Sequence, residues 1–532
     1  MTNHAANAEH RGQWAALIAA FLGWMFDGFE MGMFPLVGNN ALTELLGGDA
    51  AAKDAATAWF GVIMATFLIG AATGGVLFGW LGDRIGRVRA MSLSIFTYAV
   101  FTGLCGFAAA PWHIAVLRFI ASLGMGGEWA LGVALVTELW PDRSRAWLAA
   151  AIGAASNVGY FLVGLLSLGM LSVTTALANA LFAIGFSQAA VAHLLQGQGW
   201  RLLMIAGALP ALLIFFIRLF VPESHRWEAA SESGKTSHWA TRDLLGVLVG
   251  AAAALGIIFL WSPTFRAAVL PVPVPGAAPP PTPGWFLATQ IAGTVVGFVI
   301  ALVGYMFPVV RYLRRAEAAG QLKSGRATNI KRLLLGACLA GVPLLGTWGA
   351  VQWLPKWSIA LPNDWTAGFA KEYTQLASSS GAIVGCILAA LAAGKFGRRI
   401  TYTALCLASF ASLVALYKWN DAFGPQFLAS VFLAGGITAA FYGWFPLYFP
   451  ELFPTSIRAT SQGFAYNFGR VLSAIGSLQT AVLTAYFAQG LPEARQAVDG
   501  PASAGATLAA IYLVGVLIVW LGPETKGQPL PE

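Results

Sequence analysis

The chain predicts an all-α polytopic membrane protein: two six-helix bundles plus two inserted transmembrane helices, about 14 spans in all. Three observations carry this. The 532 residues are 58% hydrophobic and only 10% charged, with a mean hydropathy of +0.69, well away from soluble domains. At roughly 20 residues per span plus short loops, this length accommodates about 12–14 helices. The chain also repeats itself. Glu138-Leu139-Trp140-Pro141-Asp142-Arg143-Ser144-Arg145-Ala146 returns as Glu451-Leu452-Phe453-Pro454-Thr455-Ser456-Ile457-Arg458-Ala459, with 451 − 138 = 313 and 458 − 145 = 313. Asp83-Arg84-Ile85-Gly86-Arg87 returns as Gly394-Lys395-Phe396-Gly397-Arg398, with 397 − 86 = 311.

The first half (13–221) holds apolar runs near Gln13–Val37, Thr57–Trp80, Ala90–Ala109, Trp112–Glu138, Trp147–Leu171 and Trp200–Val221. Ser172–Gly199 is a longer, weakly polar outer connection. The second half (331–522) holds runs near Lys331–Trp353, Tyr373–Ala393, Ile400–Leu416, Phe427–Phe449, Ala459–Ala485 and Ala506–Leu521. The insertion between them (222–330) contains Leu244–Trp261 and Trp285–Val309, joined by an extended link through Pro271, Pro273, Pro275, Pro279, Pro280, Pro281 and Pro283. Two full spans fit this segment, and so does one re-entrant hairpin. An even number of crossings preserves the orientation of the second half.

Most of the 31 Lys and Arg fall on alternate ends of the runs, which puts both termini in the cytoplasm of a cell-membrane protein. The outer segments keep Lys53, Arg266, Lys356, Lys371, Lys418 and Arg495. A formal charge of +8 therefore reflects topology and does not point to nucleic acid. Cys105, Cys338, Cys386 and Cys406 all lie within apolar runs and read as small hydrophobes. No His-x-x-x-His, Cys-x-x-Cys or phosphate loop is present, so neither an enzyme, a metal nor a cofactor is implied. Duplicated membrane halves imply a transporter driven by ion gradients. The expected partners are a small solute, protons and the bilayer, with the chain working as a monomer.

Gly79-Trp80-Leu81-Gly82-Asp83-Arg84-Ile85-Gly86-Arg87 resembles the signature between the second and third helices of the major facilitator superfamily. The segment Arg118 to Trp129, ending Gly126-Gly127-Glu128-Trp129, is similar to that superfamily's fourth-helix motif, in particular that of its sialate and metabolite proton symporters. Val221-Pro222-Glu223-Ser224 and Pro523-Glu524-Thr525-Lys526-Gly527 resemble the tails closing each half in sugar porters. Two departures stand out: Gly394 where the first half has Asp83, and the two inserted helices. The resemblance implies two bundles rocking around a cavity lined by helices one, four, seven and ten. It also implies proton-driven uptake of a small organic solute.

Charged residues at the cytoplasmic ends read as gates: Asp83 with Arg87 or a nearby helix end, Glu138 with Arg145, and their mates Glu451 and Arg458. Solvated topological charge is the bland alternative. Within the bilayer an ionised group costs roughly 2.5–3.5 kcal/mol, so one that remains faces a cavity or a partner. Asp27 and Glu30 are three residues apart, about 300° around a helix, and point much the same way. Two carboxylates that close do not both ionise easily in a low dielectric, which suits one to carry a proton. The aromatic-acid symporters resemble this segment too, with paired acids in the first helix. Gly28 and Gly32 allow another helix or a solute to approach.

Arg118 and Glu128 are separated by roughly 15 Å along the fourth helix and about 80° around it, so they need different partners. Arg118 suits an acid of the first helix or a substrate carboxylate, and Glu128 a proton. Arg470 lies about 21 Å from the inner end of the eleventh helix, preceded by Tyr466 and Asn467. Its planar fork suits a carboxylate, or a neighbouring acid or free carbonyls. Trp348, Gln352 and Trp353, then Tyr442, Trp444 and Tyr448, supply aromatic walls and polar tips, and Asn157 and Tyr160 share one face. Proton-coupled symport of a small carboxylated metabolite follows (sialic acid, lactate or another organic acid). A sugar or polyol symporter, and a membrane solute sensor, are the other readings.

Overall fold

The computed structural model describes residues 2–270, 283–322, 325–365 and 368–532; most of the predicted Pro-rich link, Pro271 to Pro281, lies outside them. Among the described residues there are helices and no strands. The first half runs α1 (Thr2–Leu45), α2 (Ala50–Ile85), α3 (Arg87–Cys105), α4 (Pro111–Leu139), α5 (Arg145–Leu168), α6 (Met170–Ala183), α7 (Gln188–Ala206) and α8 (Leu212–Phe220). The middle holds α9 (His225–Glu232), α10 (Leu244–Leu260), α11 (Pro263–Val269) and α12 (Gly284–Ala318). The second half runs α13 (Arg326–Gly349), α14 (Leu354–Ala360), α15 (Ala370–Phe396), α16 (Arg398–Trp419), α17 (Pro425–Ala439), α18 (Phe441–Leu452), α19 (Arg458–Ala488), α20 (Glu493–Leu508) and α21 (Ile511–Ile518).

Thirteen of these helices or continuous helix pairs are long and apolar enough to cross a membrane. A further 31-residue helix, α19, occupies the predicted eleventh span of the repeat. This is an all-α multi-pass membrane protein. The differences from the sequence reading lie at helix ends and breaks. The sixth span is interrupted at Gly207–Ala211, where Pro210 lacks an N–H and its ring crowds the preceding turn. The tenth divides at Ala440 into α17 and α18, and the twelfth starts earlier, at Glu493, and breaks after Leu508. The connection 172–199 is largely helical.

Gly86 and Gly397 end α2 and α15 at φ of 108° and 99°, a region that penalises side chains. At both turns the next helix is capped by an acid from the tail of the same half. Glu223 accepts from the N–H groups of Arg87 (2.8 Å) and Val88 (3.2 Å), and Glu524 from those of Arg398 (2.9 Å) and Arg399 (3.2 Å). A carboxylate there meets the positive end of the helix dipole. Burial alone pushes both carboxyls up. At Glu223 burial prevails and the group is raised; at Glu524 the N–H groups of Arg398, Arg399 and Lys526 outweigh burial and hold it below the usual range. The Pro-Glu-Ser and Pro-Glu-Thr tails are thus helix caps.

The two halves meet along α2 with α19 and α5 with α15. At Gly463 of α19 a Cβ would run into the backbone oxygen of Gly75 in α2. The inserted α10 and α12 are two antiparallel helices of 17 and 35 residues, paired along their length. At one end the Gln290 amide donates to Leu260 O at 2.8 Å and Trp261 Nε1 to Thr294 Oγ1 at 2.8 Å; near the other, Gly304 packs on Gly246 and Gly250. Each helix is long and apolar enough to cross a membrane. The pair straddles the seam between halves: Tyr305 shares a buried hydroxyl–hydroxyl hydrogen bond of 2.9 Å with Thr73 of α2, while Phe298 packs on Phe468 of α19 at 5.1 Å.

Gly463→Val should therefore wedge α19 off α2 and cost about 1–3 kcal/mol, as over-packing does. A lowered melting temperature in detergent checks this; an unchanged one means the seam has slack.

Candidate functional site

At the end of the molecule where α2 turns into α3, a charge cluster joins the halves. Arg87 reaches Asp83 at 2.7 Å and Glu138 at 3.1 Å, all three fully buried. Its counterpart Arg398 reaches Glu451 at 2.6 Å. Each glutamate also takes a hydroxyl from its own tail: Ser224 for Glu138, and Thr525 at 2.6 Å for Glu451. The third partner comes from the opposite half. Arg458 donates to Glu138 at 2.6 Å and Arg145 donates to Glu451 at 2.7 Å.

This corrects the expected Glu138–Arg145 pair. The two are near in sequence, but the repeat is a pseudo-two-fold, and docking swaps the arginines between the repeats. Asp83 does meet Arg87 and a helix end: it accepts from the N–H groups of Ala459 (3.2 Å) and Thr460 (2.8 Å) and from Thr460 Oγ1 (2.6 Å). Gly394, at the corresponding place, has no charge to offer and packs on Ala146. The sequence reading missed Arg398, Ser224 and Thr525; the internal repeat itself was the signal for them. The final residues close over the cluster, with Arg145 donating to Gln528 O (2.8 Å) and Arg458 to Pro531 O (2.7 Å).

On the far side of this lock a cavity lies between the halves. From α5 come Ser156, Asn157 and Tyr160, and from α1 Trp24 and Met31. Facing them are Thr347, Trp348 and Gln352, then Gln375, Ser378 and Ser379 of α15, Thr438 of α17, Tyr442 of α18, and Tyr466 and Arg470 of α19. On α5, Asn157 lies twelve residues, about 18 Å, beyond Arg145. The expected Asn157, Tyr160, Trp348, Gln352, Tyr442, Tyr466 and Arg470 thus converge. The serines of α15 were missed, although three consecutive serines (378–380) in an apolar run are a readable signal.

Other expectations are corrected. Asn467 faces α4, donating to Gly126 O (2.8 Å) and Gly463 O (3.0 Å), so it is a helix clamp. Trp444 and Tyr448 point away into their own bundle, donating to Arg398 O (3.0 Å) and Pro523 O (2.8 Å), and Trp353 lies under Lys356. Helix α4 stands one layer back, its Trp129 stacked on Tyr466 at 4.1 Å. Arg118 is accordingly not at the cavity. It forms an ion pair with Glu30, which also accepts from Thr102 at 3.1 Å, and lies over the rings of Phe34 and Phe67 at 4.8 and 4.6 Å. Gly28 admits the backbone of Ser156, and Gly32 lies against Tyr160 and Val163, so both serve helix packing.

Asp27 and Glu30 therefore have different surroundings despite their shared face. Asp27 is fully buried and sits beside Glu128, with Arg470 also in its field. Asp27 and Glu128 lie against each other, no other hydrogen-bond partner serves either carboxyl among the described residues, and Glu128 rests on Gly23 of α1. Buried polar atoms left unsatisfied are costly unless they have another use. Arg470 is the one charged side chain among the described residues lining the cavity. Its Nε and Nη1 have no hydrogen-bond partner among the described residues, and its guanidinium lies 5.6 Å from the Tyr466 ring.

The family described as sugar (and other) transporter matches residues 15–245. A putative metabolite transport protein of Haemophilus influenzae is 26% identical, covering 97% of this chain and 98% of its own. The cis,cis-muconate transport protein of Acinetobacter baylyi is 25% identical, covering 86% of this chain and 85% of its own. Among solved structures, the fold matches a proton:xylose symporter of Escherichia coli at 18% identity and a TM-score of 0.62, over 98% of both chains. Transport is the activity these relatives share. Over residues 15–245 the chain resembles the sugar (and other) transporter family, and its fold is the one seen in a solved major facilitator superfamily symporter.

Removing one partner of a buried ion pair costs roughly 3–5 kcal/mol, which parting of the halves would relieve. In Glu138→Gln, a cysteine placed at Ser461, buried behind the lock, should react several-fold faster with a water-soluble maleimide. Unchanged reactivity would mean that these charges do not hold this end shut.

Proposed function

We propose that the protein is a proton-coupled symporter of a small carboxylated metabolite, with the carboxylate held by Arg470. The observation that carries this is a buried guanidinium at the cavity wall with two nitrogens that have no partner among the described residues, while Arg118 is already neutralised by Glu30. A sugar has no charge to offset Arg470, whereas a carboxylate accepts from its fork. The muconate named for one relative is itself a carboxylate.

Asp27 supplies the coupling. Ionised, it competes with the solute for the field of Arg470; with a proton bound, it leaves the guanidinium to the solute. Glu128, beside it, passes or shares that proton, and Glu30 holds Arg118 in place. Binding of solute and proton thus favour each other, as linkage requires. Co-transport of a proton also cancels the charge of an anion entering a negative cell, about 2.3 kcal/mol per 100 mV. Asn157, Tyr160, Trp348, Gln352, Tyr442 and Tyr466 shape the remainder of the site.

The bundles 13–221 and 331–522 rock about this cavity, and the insertion 222–330 rides on their seam. In the outward-facing state the lock of Asp83, Arg87, Glu138, Arg145, Glu451 and Arg458 is closed, and its release opens the cytoplasmic side. The basic end faces the cytoplasm of a cell (inner) membrane, with both termini there, and one chain suffices.

Proteoliposomes test the reading. External carboxylates, and not sugars, should acidify the lumen beyond passive leak. Asp27→Asn should abolish proton-driven accumulation while sparing solute exchange; accumulation that persists removes Asp27 from the scheme. Hydrogen bonds to charged groups are worth roughly 1.5–3 kcal/mol, so Arg470→Gln should weaken carboxylate binding about 10–100-fold. Unweakened binding, or acidification by a sugar alone, would instead support the sugar-porter reading.

A further inference from the structure

Between α10 and α12, at the end shared with the charged lock, lies a groove of about 550 Å³, within the ~300–1,000 Å³ of ligand sites. It shares no lining residue with the central cavity. Its walls are apolar: Leu245, Val249, Val303 and Phe307, over a floor at Gly246 and Gly304 where the two helices touch. Leu245, Val249 and Val303 are each more than half exposed, at 64%, 56% and 60%. In a membrane-spanning helix pair, such a trough opens sideways to the bilayer.

The groove ends at Arg242 and Arg311. The nearby acid, buried Asp243, is engaged by both Nη atoms of Arg315 and lies 3.9 Å from Arg311. One carboxylate against three guanidiniums leaves a net 3 − 1 = +2 at the groove mouth. Arg242 is exposed and Arg311 about a third so, with the Arg311 guanidinium 5.8 Å from the Phe307 ring. Surplus positive charge at the helix ends above a lipid-open apolar trough matches an anionic headgroup above its acyl chain.

We propose that this groove binds an anionic phospholipid, one acyl chain lying between α10 and α12 and the phosphate held by Arg242 and Arg311. A zwitterionic lipid brings its own cation and leaves the charge uncompensated. Because α10 and α12 pack on α2 and α19, the bound lipid sits beside the seam between the halves without entering the solute path.

The test is native mass spectrometry of the full-length protein, titrated with phosphatidylglycerol or phosphatidylcholine of identical acyl chains. One phosphatidylglycerol should be retained about tenfold more tightly than phosphatidylcholine. Arg242→Gln with Arg311→Gln should erase that preference. Val303→Trp, which fills the trough and keeps the charges, should weaken retention of both lipids. Equal retention by the wild-type protein, a preference that survives the double substitution, or displacement by millimolar inorganic phosphate would overturn the proposal. So would a dimer that Val303→Trp dissolves in the absence of lipid, since the occupant would then be a second copy.

Discussion

Two buried glutamates, Glu138 and Glu451, hold the halves in register. Each stands at the centre of a shell built from three places: an arginine of its own half, a hydroxyl of its own tail and an arginine of the other half. Removing such charges from water costs several kcal/mol per ion, which attraction offsets only when the geometry is complete. The shell is complete only with both halves docked, because Arg458 and Arg145 each lie across the seam. This is a poor way to gain stability and a good way to define a docked state. The interaction is made or lost as a unit, and losing it exposes charges to water that then solvates them.

Around that arrangement the helix caps follow. Glu223 and Glu524 are tied to the N-termini of α3 and α16, which carry Arg87 and Arg398. The caps therefore position the arginines that position the glutamates. Asp83 breaks the symmetry: it binds the N-terminus of α19 directly, whereas Gly394 contributes only a close packing contact. The α2–α19 seam thus carries a buried carboxylate bound to a helix end. It is also the seam that the inserted helices cover, through Tyr305 and Phe298.

The interior charges are divided unevenly. Asp27, Glu30, Arg118 and Glu128 belong to the first half, and Arg470 to the second. One of the acids, Glu30, is spoken for by Arg118. The remaining pair of acids faces a cation across the cavity wall, and on the proposed reading a solute carboxylate enters that balance. This asymmetry fits a division in which one half handles protons while the other supplies the anchor.

The long apolar runs and the repeat were legible in the chain, because apolar run length and a 313-residue period need no knowledge of neighbours. Asp27 and Arg470 stood out for the same reason: a charge in a long apolar run is conspicuous wherever it packs. Partners were another matter. Periodicity puts Asp27 and Glu30 on one face, yet Glu30 meets Arg118 while Asp27 meets Glu128, since packing against α4 decides which of that helix's two charges each acid reaches. Asn467 precedes Arg470 by one turn, yet it clamps α4 and does not reach the cavity. Glu138 lies seven residues from Arg145 and 320 from Arg458, and the distant one is its partner. Hydrophobic length and duplication are properties of one strand of sequence. Pairing depends on how two repeats dock, and only the folded molecule decides that.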